Sequence, residues 1–380
     1  MDKIKEKKRS GLSALYRSSP VGHIIAAVSA AVIILHLATR RDHALMVWAS
    51  EKLVQTVHHA LARLNSHLPF SMAEALIGLT AAAVLGYIIY TVIALIRRGE
   101  RLRRLYAAVI NLLAAGLAVY AGFCLLWGVY YYGDDFMTRS GLENGNISVE
   151  QLETVTRYFA ALANEYSGQV PRDADGNYIA DRAALLDRSD EVYANAEREL
   201  PCLVGPEVRA KGVHFSRVMS YTDFTGFFFP FTAEANVNTD FPPALFASTI
   251  AHELAHQRGV AKEQEANFVA VLASLEYGDA EYCYSACMLA YTHLGNALYS
   301  ADYDTWKSVY LTLNDNVRRD FAANREYWAQ FETPVQKVSN TVYEGFLYSY
   351  DQNMGLKSYG ACVDLLVNYY CEQAAEYISK

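Results

Sequence analysis

Two histidines four residues apart, His252 and His256, enclose Glu253 and the small apolar pair Leu254–Ala255. On a helix, positions four apart share a face, so both imidazoles reach one ion. Glu253 then projects beside that ion, placed to accept a proton from a water molecule there. The chemistry this favours is hydrolysis by water activated on a divalent metal. Zinc comes first, because it takes imidazole and carboxylate ligands and keeps one position open for catalysis. A five-residue pattern is short, and its setting gives it weight: residues 131–380 hold four histidines, and two of them are here. The plainer alternative is an amphipathic helix with two structural histidines.

A third protein ligand is needed. In the pattern HExxHxxGxxH, Gly259 serves as the glycine, but the last position is Lys262, a cation and a poor ligand. The other possibility is a glutamate of the next helix, and the candidates are Glu263, Glu265 and Glu276. Glu265 is preferred. It shares a helix face with Phe268, Val269 and Leu272, and a carboxylate carried inward by an apolar stripe needs a partner such as a metal. Glu276 lies in the sequence LEYGD, which lacks a supporting motif. Asn267 is a candidate to hold a histidine ring from behind.

The elements that must position these groups can be read from the same region. Pro242 and Pro243 open a helix running to about Arg258, since proline suits a first helical turn. Gly259 stops it. Upstream, 213–238 is the one convincing strand region, rich in aromatic and β-branched residues and broken by Gly226 and Pro230. Its end, Phe231–Asn238 or Ala235–Asn238, is placed to pair with an extended peptide. Asn236 and Asn238 are then candidate contacts to substrate backbone, or ordinary polar residues of a loop. Candidates for a transition-state donor are His214, Tyr221, His293 and Arg318. A lone histidine on an amphipathic helix, such as His293, reads more simply as a packed residue. Helical periodicity covers 148–166, opened by the cap SVEQ, and then 183–200, 262–277, 280–299, 303–331 and 359–378. Residues 131–380 are thus expected to form one domain, mainly α with a small β-sheet.

The first third has another character. Apolar runs at 21–38, 73–96 and 105–130 are long enough for bilayer-crossing helices, which need roughly 20 mostly apolar residues. Over the 380 residues the charged fraction is 19%, below the usual quarter. Residues 1–130 carry 15 lysines and arginines against 6 acids, and residues 131–380 carry 18 against 35. The net charge of −8 excludes a generic basic nucleic-acid binder. The basic tail 1–20 and the loop RRGERLRR at 97–104 are expected in the cytoplasm, which leaves 40–73 and the domain after 130 outside. Within 40–73, Ala44–Leu64 reads as a surface amphipathic helix, and His58, His59 and His67 as interfacial residues rather than ligands. Trp127 and Tyr130–Tyr132 suit an interfacial aromatic belt.

Six cysteines include no C-x-x-C pair, so a zinc ribbon or thioredoxin-type site is not indicated. Cys202, Cys283, Cys287, Cys362 and Cys371 lie in the outer domain. A disulfide from Cys283 or Cys287, or buried free thiols, are equally compatible with the spacing.

HELAH followed by EQEANFVA is similar to the core of glutamate-type zincins, in which an E-A-D or E-A-N segment supplies the third ligand, as in the CAAX-processing and ImmA/IrrE-type peptidases. The stretch 216–268, the hydrophobic layout of the N-terminal third and SYGACVDLL near 358–366 resemble a bacterial membrane family, domain of unknown function number 3810. The resemblance implies a zincin-like zinc peptidase fold in a bacterial plasma membrane, and no particular substrate.

The expectation is a membrane-anchored zinc metallopeptidase with its active domain extracytoplasmic. His252, His256 and Glu265 would bind Zn²⁺, Glu253 would act as general base, and the partners would be a peptide or protein substrate and the lipid bilayer. The rival is a non-catalytic membrane sensor or scaffold with a structural or degenerate zinc site. A small transporter has little support, because the spans contain no ion pair.

Overall fold

The structure, a computed structural model, describes residues 13, 15–142, 145–350 and 360–379. The basic tail residues Lys3, Lys5, Lys7, Lys8 and Arg9 and the first residues of the 358–366 segment lie outside the described residues. The chain divides into two compact units: residues up to Val54 with Met72–Gly133, and Gln55–Ser71 with Asp134 onward.

Three helices of the first unit are long and apolar enough to cross a membrane: Pro20–Thr39 (α1), Met72–Arg97 (α2) and Arg101–Leu126 (α3). The chain is a membrane-associated protein of mainly helical fold. Helix α3 starts earlier than its apolar run, taking RLRR into its first turns, and ends at Leu126. There Trp127 leaves helical geometry, and a 3₁₀ turn follows over Gly128–Tyr132. Both α1 and α2 pack on α3. Asn111 of α3 ties them together, donating from Nδ2 to the Tyr87 hydroxyl of α2 (2.8 Å) and accepting the Ser19 hydroxyl before α1 on Oδ1 (2.5 Å). A Cβ at Gly22 would fall 2.3 Å from that oxygen, so only glycine permits the approach. His23 joins the network, with Nδ1 at 2.6 Å from the Ser19 carbonyl and Nε2 at 2.8 Å from the Tyr106 hydroxyl.

The second unit takes in part of the segment between the first two spans, so the expected boundary near 131 is too simple. That segment is not one amphipathic helix on a surface. It runs as His43–Trp48, a π-helical stretch Ala49–Val54 and a helix Gln55–Ser66. His58, read as interfacial, is buried edge-on against Phe228 (5.3 Å), and burial pulls its pKa down to about 4. Asn65 donates to the Thr232 carbonyl (2.8 Å). Lys211 donates to the carbonyls of Asn65 (2.7 Å) and Phe70 (3.0 Å) and pairs with Glu234 (2.6 Å). The face of 55–66 that carries His58, Ala62 and Asn65 is therefore covered by protein, while Val57 and Leu64 are exposed.

A three-stranded sheet has the order β1–β3–β2, with β1 Lys211–Val213 parallel and β2 Gly226–Phe229 antiparallel to β3 Glu234–Asn238. Much of the sequence expected to be strand is helical instead, at Ser216–Tyr221. The strand expected at an exposed edge, β3, is the buried centre of the sheet. Asn236 and Asn238 are fully buried. Asn236 accepts from Ser71 (2.6 Å) and donates to the Glu234 carbonyl (2.9 Å). Asn238 donates to Ser220 (2.9 Å) and the Phe224 carbonyl (3.1 Å). Their amides satisfy polar groups of the sheet and its flanking turns, so neither is offered to a substrate.

The helices that build the core and the site are Phe136–Ser140 (α4), Val149–Ser167 (α5), Phe246–Gln257 (α6), Glu263–Tyr277 (α7), Ala280–Ala301 (α8) and Gly360–Ile378 (α10), with Pro334–Ser349 (α9) lying outside the core. Helices α5 and α8 pack on each other and on α10, α7 lies between α6 and α8, and α6 carries the sheet on its other side. The cap Ser148–Gln151 forms a reciprocal capping box at the start of α5. The expected helix 183–200 is broken into short turns, and 303–331 is two helices separated where the Asn314 side chain caps Val317 N–H (3.0 Å). Helix α9 was not anticipated; Thr333 caps it and Pro334 opens it. All six cysteines are free thiols.

Candidate metal centre

Helix α6 is buried on nearly every side because its sequence, FASTIAHELAHQ, is alanine-rich and faces both a sheet and two helices. The Tyr193 hydroxyl donates to the Ala251 carbonyl (2.6 Å), and Gln257 donates to the Ala233 carbonyl (2.8 Å), which fixes the helix about its axis. Arg258, the next residue, is buried over the Tyr193 ring at 4.0 Å and paired with Glu197 at 3.0 Å. Gly259, at φ 79°, then reverses the chain. Its N–H bonds to the His256 carbonyl and that of Val260 to the Ala255 carbonyl, a Schellman closure. The closure brings the Val260 carbonyl to 2.6 Å from His256 Nδ1.

The other histidine is held in the same manner from α7, with Asn267 Oδ1 at 2.9 Å from His252 Nδ1. Each ring therefore has its Nδ1 engaged by an acceptor, which fixes Nδ1 as the protonated nitrogen and leaves the Nε2 lone pair to face the site. The two rings stand edge to face at 4.7 Å. Glu263 is what they face: its Oε2 lies 3.1 Å from His252 Nε2 and 3.7 Å from His256 Nε2. Among the described residues, His252, His256 and Glu263 are the one set of three acidic, histidine or cysteine side chains with ligand atoms within 4.8 Å of one another.

This corrects the preferred third ligand. Glu265 is buried, as its helix face requires, but its carboxylate turns toward α4. It accepts the N–H groups of Phe136 (3.0 Å) and Met137 (3.5 Å), and Lys262 stands 4.0 Å away. The inward carboxylate does have a partner, the start of a short helix rather than an ion. Two residues along a helix is a rotation of about 200°, so Glu263 and Glu265 face opposite ways. After the Gly259 turn it is the first residue of α7 that points back at α6. Glu276 lies at the far end of α7.

Glu253 is buried beside the pair, with Oε2 lacking a hydrogen-bond partner among the described residues. Its carboxylate lies flat against the backbone of β2: a Cβ on Gly226 would fall 2.5 Å from Oε1. Burial pushes its pKa up to about 7, against the pull of His252 and His256. His256 is driven toward its charged form. Burial lowers it, but the Glu263 carboxylate outweighs that and raises it to about 9, while Glu263 is held well below its ordinary range by the two histidines. Two imidazole nitrogens and one carboxylate oxygen, each oriented by a group behind it, are a donor set suited to zinc.

Of the residues considered as transition-state donors, His293 is buried near His252, and burial first and then that neighbour's charge lower its pKa to about 4. His214 meets Phe215 edge to face (5.2 Å), as Tyr221 meets Phe331 (5.0 Å), and Arg318 donates to the Leu311 carbonyl (3.1 Å). No motif marks Tyr343, whose hydroxyl donates to Glu263 Oε1 at 2.6 Å from α9. Glu263 had a sign, the Gly259 turn, which returns the chain to the histidines at about the place where HExxHxxGxxH puts its last ligand.

No curated protein and no solved structure matches the chain. The family model described as protein of unknown function (DUF3810) matches residues 50–367, and the chain belongs to that family.

Proposed function

We propose that the chain is a membrane-anchored, zinc-dependent peptidase that hydrolyses peptide bonds in a peptide or protein substrate. His252, His256 and Glu263 hold the ion, with Asn267 and the Val260 carbonyl keeping the imidazoles oriented. When bound, zinc supplies Lewis acidity toward a water molecule and toward the substrate carbonyl. Glu253 takes the proton from the attacking water and passes it to the leaving amine. A carboxyl whose pKa is lifted toward neutrality suits both halves of that transfer. Strand β2 ends the sheet, paired on one side by β3, and Glu253 packs over the face of its first residue, Gly226. An extended peptide added along that edge would bring its backbone past the base. The basic loop 97–104 argues for a cytoplasmic side there and for an extracytoplasmic second unit in a bacterial plasma membrane, the orientation the positive-inside rule favours.

The observation that carries this reading is the convergence of both Nε2 atoms on one Glu263 oxygen with the buried Glu253 beside them. The test is zinc content and hydrolysis of a peptide library by the purified full chain, with and without chelator, for the wild type and Glu253→Gln. The expected result is equal zinc in both and cleavage slower by about 10²- to 10⁴-fold in the variant. Zinc without cleavage in the wild type would point instead to a non-catalytic site.

A further inference from the structure

Helix α9 reaches the candidate centre through Tyr343. The Glu263 carboxylate is divided between two kinds of partner: Oε1 accepts the Tyr343 hydroxyl at 2.6 Å, and Oε2 faces His252 Nε2 and His256 Nε2. The Tyr343 ring packs edge-on against Phe224 at 5.4 Å. The same helix is fastened to the same loop twice more, from Ser339 Oγ to the Thr222 carbonyl (3.0 Å) and from Asn340 Nδ2 to Asp223 Oδ2 (3.1 Å). That loop leads into Gly226, the residue against which Glu253 packs. Leu347 is its one buried residue, and Val335, Val338 and Val342 are 56%, 64% and 68% exposed. A helix with an exposed apolar face thus rests on the rim of the site, and one of its anchors is a hydrogen bond to a ligand carboxylate.

We propose that Tyr343 is a positioning residue for the third ligand and couples the docking of α9 to metal binding. This rests on the metal-centre reading above. A glutamate side chain loses rotamer freedom when it is fixed. A phenol that already holds one carboxylate oxygen meets part of that cost before the ion arrives, and it also sets which oxygen the imidazoles share. Outer-sphere partners of this kind change metal affinity by about 10- to 100-fold. Coupling is reciprocal, so whatever factor α9 docking adds to zinc affinity, zinc adds to α9 docking.

The experiment uses the full chain in detergent, stripped of metal. Zinc affinity is measured by competition with a chromophoric chelator, and hydrogen exchange of the α9 amides is followed with and without zinc. Tyr343→Phe keeps the ring against Phe224 and removes only the hydroxyl. The expected result is zinc binding weakened by about 10- to 100-fold. Zinc should slow α9 exchange in the wild type and do so far less in the variant, and the visible bands of the cobalt(II)-loaded proteins should differ between the two. Phe224→Leu loosens the ring's packing and leaves the phenol. If it weakens zinc as much as Tyr343→Phe does, packing rather than the hydroxyl is responsible and the proposal is overturned. Wild-type zinc uptake with Tyr343→Phe unchanged also overturns it, leaving the metal centre standing. A wild-type chain that takes up no zinc removes the metal centre and this inference together.

Discussion

Glu263 and Glu265 stand two positions apart at the start of α7, and their carboxylates answer to different partners. Glu263 meets two imidazoles and a phenol, while Glu265 meets two backbone N–H groups and is approached by Lys262. Substitution should separate these roles. Glu263→Gln removes the charge that both histidines face, and zinc affinity should fall by more than the 10- to 100-fold that an outer-sphere loss costs. Glu265→Ala should leave zinc affinity unchanged and cost about 1–3 kcal/mol of stability, because the Phe136 and Met137 N–H groups lose their acceptor. Equal loss of zinc in both variants would contradict the assignment. Glu253 supplies a stability test independent of turnover. Its pKa rises from 4.5 to about 7 in the metal-free fold. Between those values the folded chain keeps a proton that the unfolded chain releases, so stability falls as pH rises through that window, by roughly 3 kcal/mol in all. Glu253→Gln removes the buried charge. In chelator, its thermal midpoint should match the wild type near pH 4 and exceed it at pH 8. The sequence disclosed which residue types mattered here, the two histidines, Glu253 and Asn267 among them. It left the choice among glutamates open because that choice depends on rotation about α7, which a turn of five residues sets.

At the scale of elements, the site is made by two helices, the turn between them and an edge strand, and the strand is the least legible of the four. Helix α6 declared itself through Pro-Pro at one end and glycine at the other, both of them local signals. The sheet did not. Aromatic residues over 213–238 suggest extended chain, but whether β3 is an edge or a centre depends on Lys211–Val213 arriving beside it and on residues 65–71 covering it. Asn236 and Asn238 lie at the centre of that arrangement, so their amides were consumed by the fold. The edge is β2, and Gly226 is where it meets chemistry. Its conformation places no special demand on glycine; its neighbour does, since the carboxylate, Cγ and Cδ of Glu253 all lie within 3 Å of where a Cβ would stand. Gly226→Ala should therefore push Glu253 or the strand aside while the histidines keep their places. The expected outcome is zinc content near wild type, peptide hydrolysis at least about tenfold lower, and a stability cost of about 1–3 kcal/mol typical of overpacking. Full activity in that variant would mean that Glu253 does not work from the position it holds here.

On the scale of the molecule, charge and hydropathy divide the chain more plainly than any motif does. Three helices can span a bilayer, and basic residues collect at the turn between α2 and α3, where Arg97, Arg98, Arg101, Arg103 and Arg104 lie within eight residues. The acidic remainder is the part that carries the candidate centre. What hydropathy could not disclose is that residues 55–71, between two spans, belong to the later unit. Their polar and apolar alternation is that of any half-covered helix, and the covering strand lies far along the sequence. The assignment also constrains topology. If α2 and α3 both cross, the chain before Met72 and the chain after Leu126 emerge on one side. Five basic residues at the opposite end predict that this side is extracytoplasmic. Single cysteines can test it at two glycines whose added Cβ meets nothing within 4 Å, Gly99 in the basic turn and Gly345 on α9. The partly buried Cys202 and Cys371 are replaced by serine to lower the background. A membrane-impermeant maleimide added to intact cells should label Gly345→Cys at once and Gly99→Cys only after the membrane is opened. The reverse pattern would place the candidate centre in the cytoplasm, and the substrates to be sought would then be those on the inner side of the membrane.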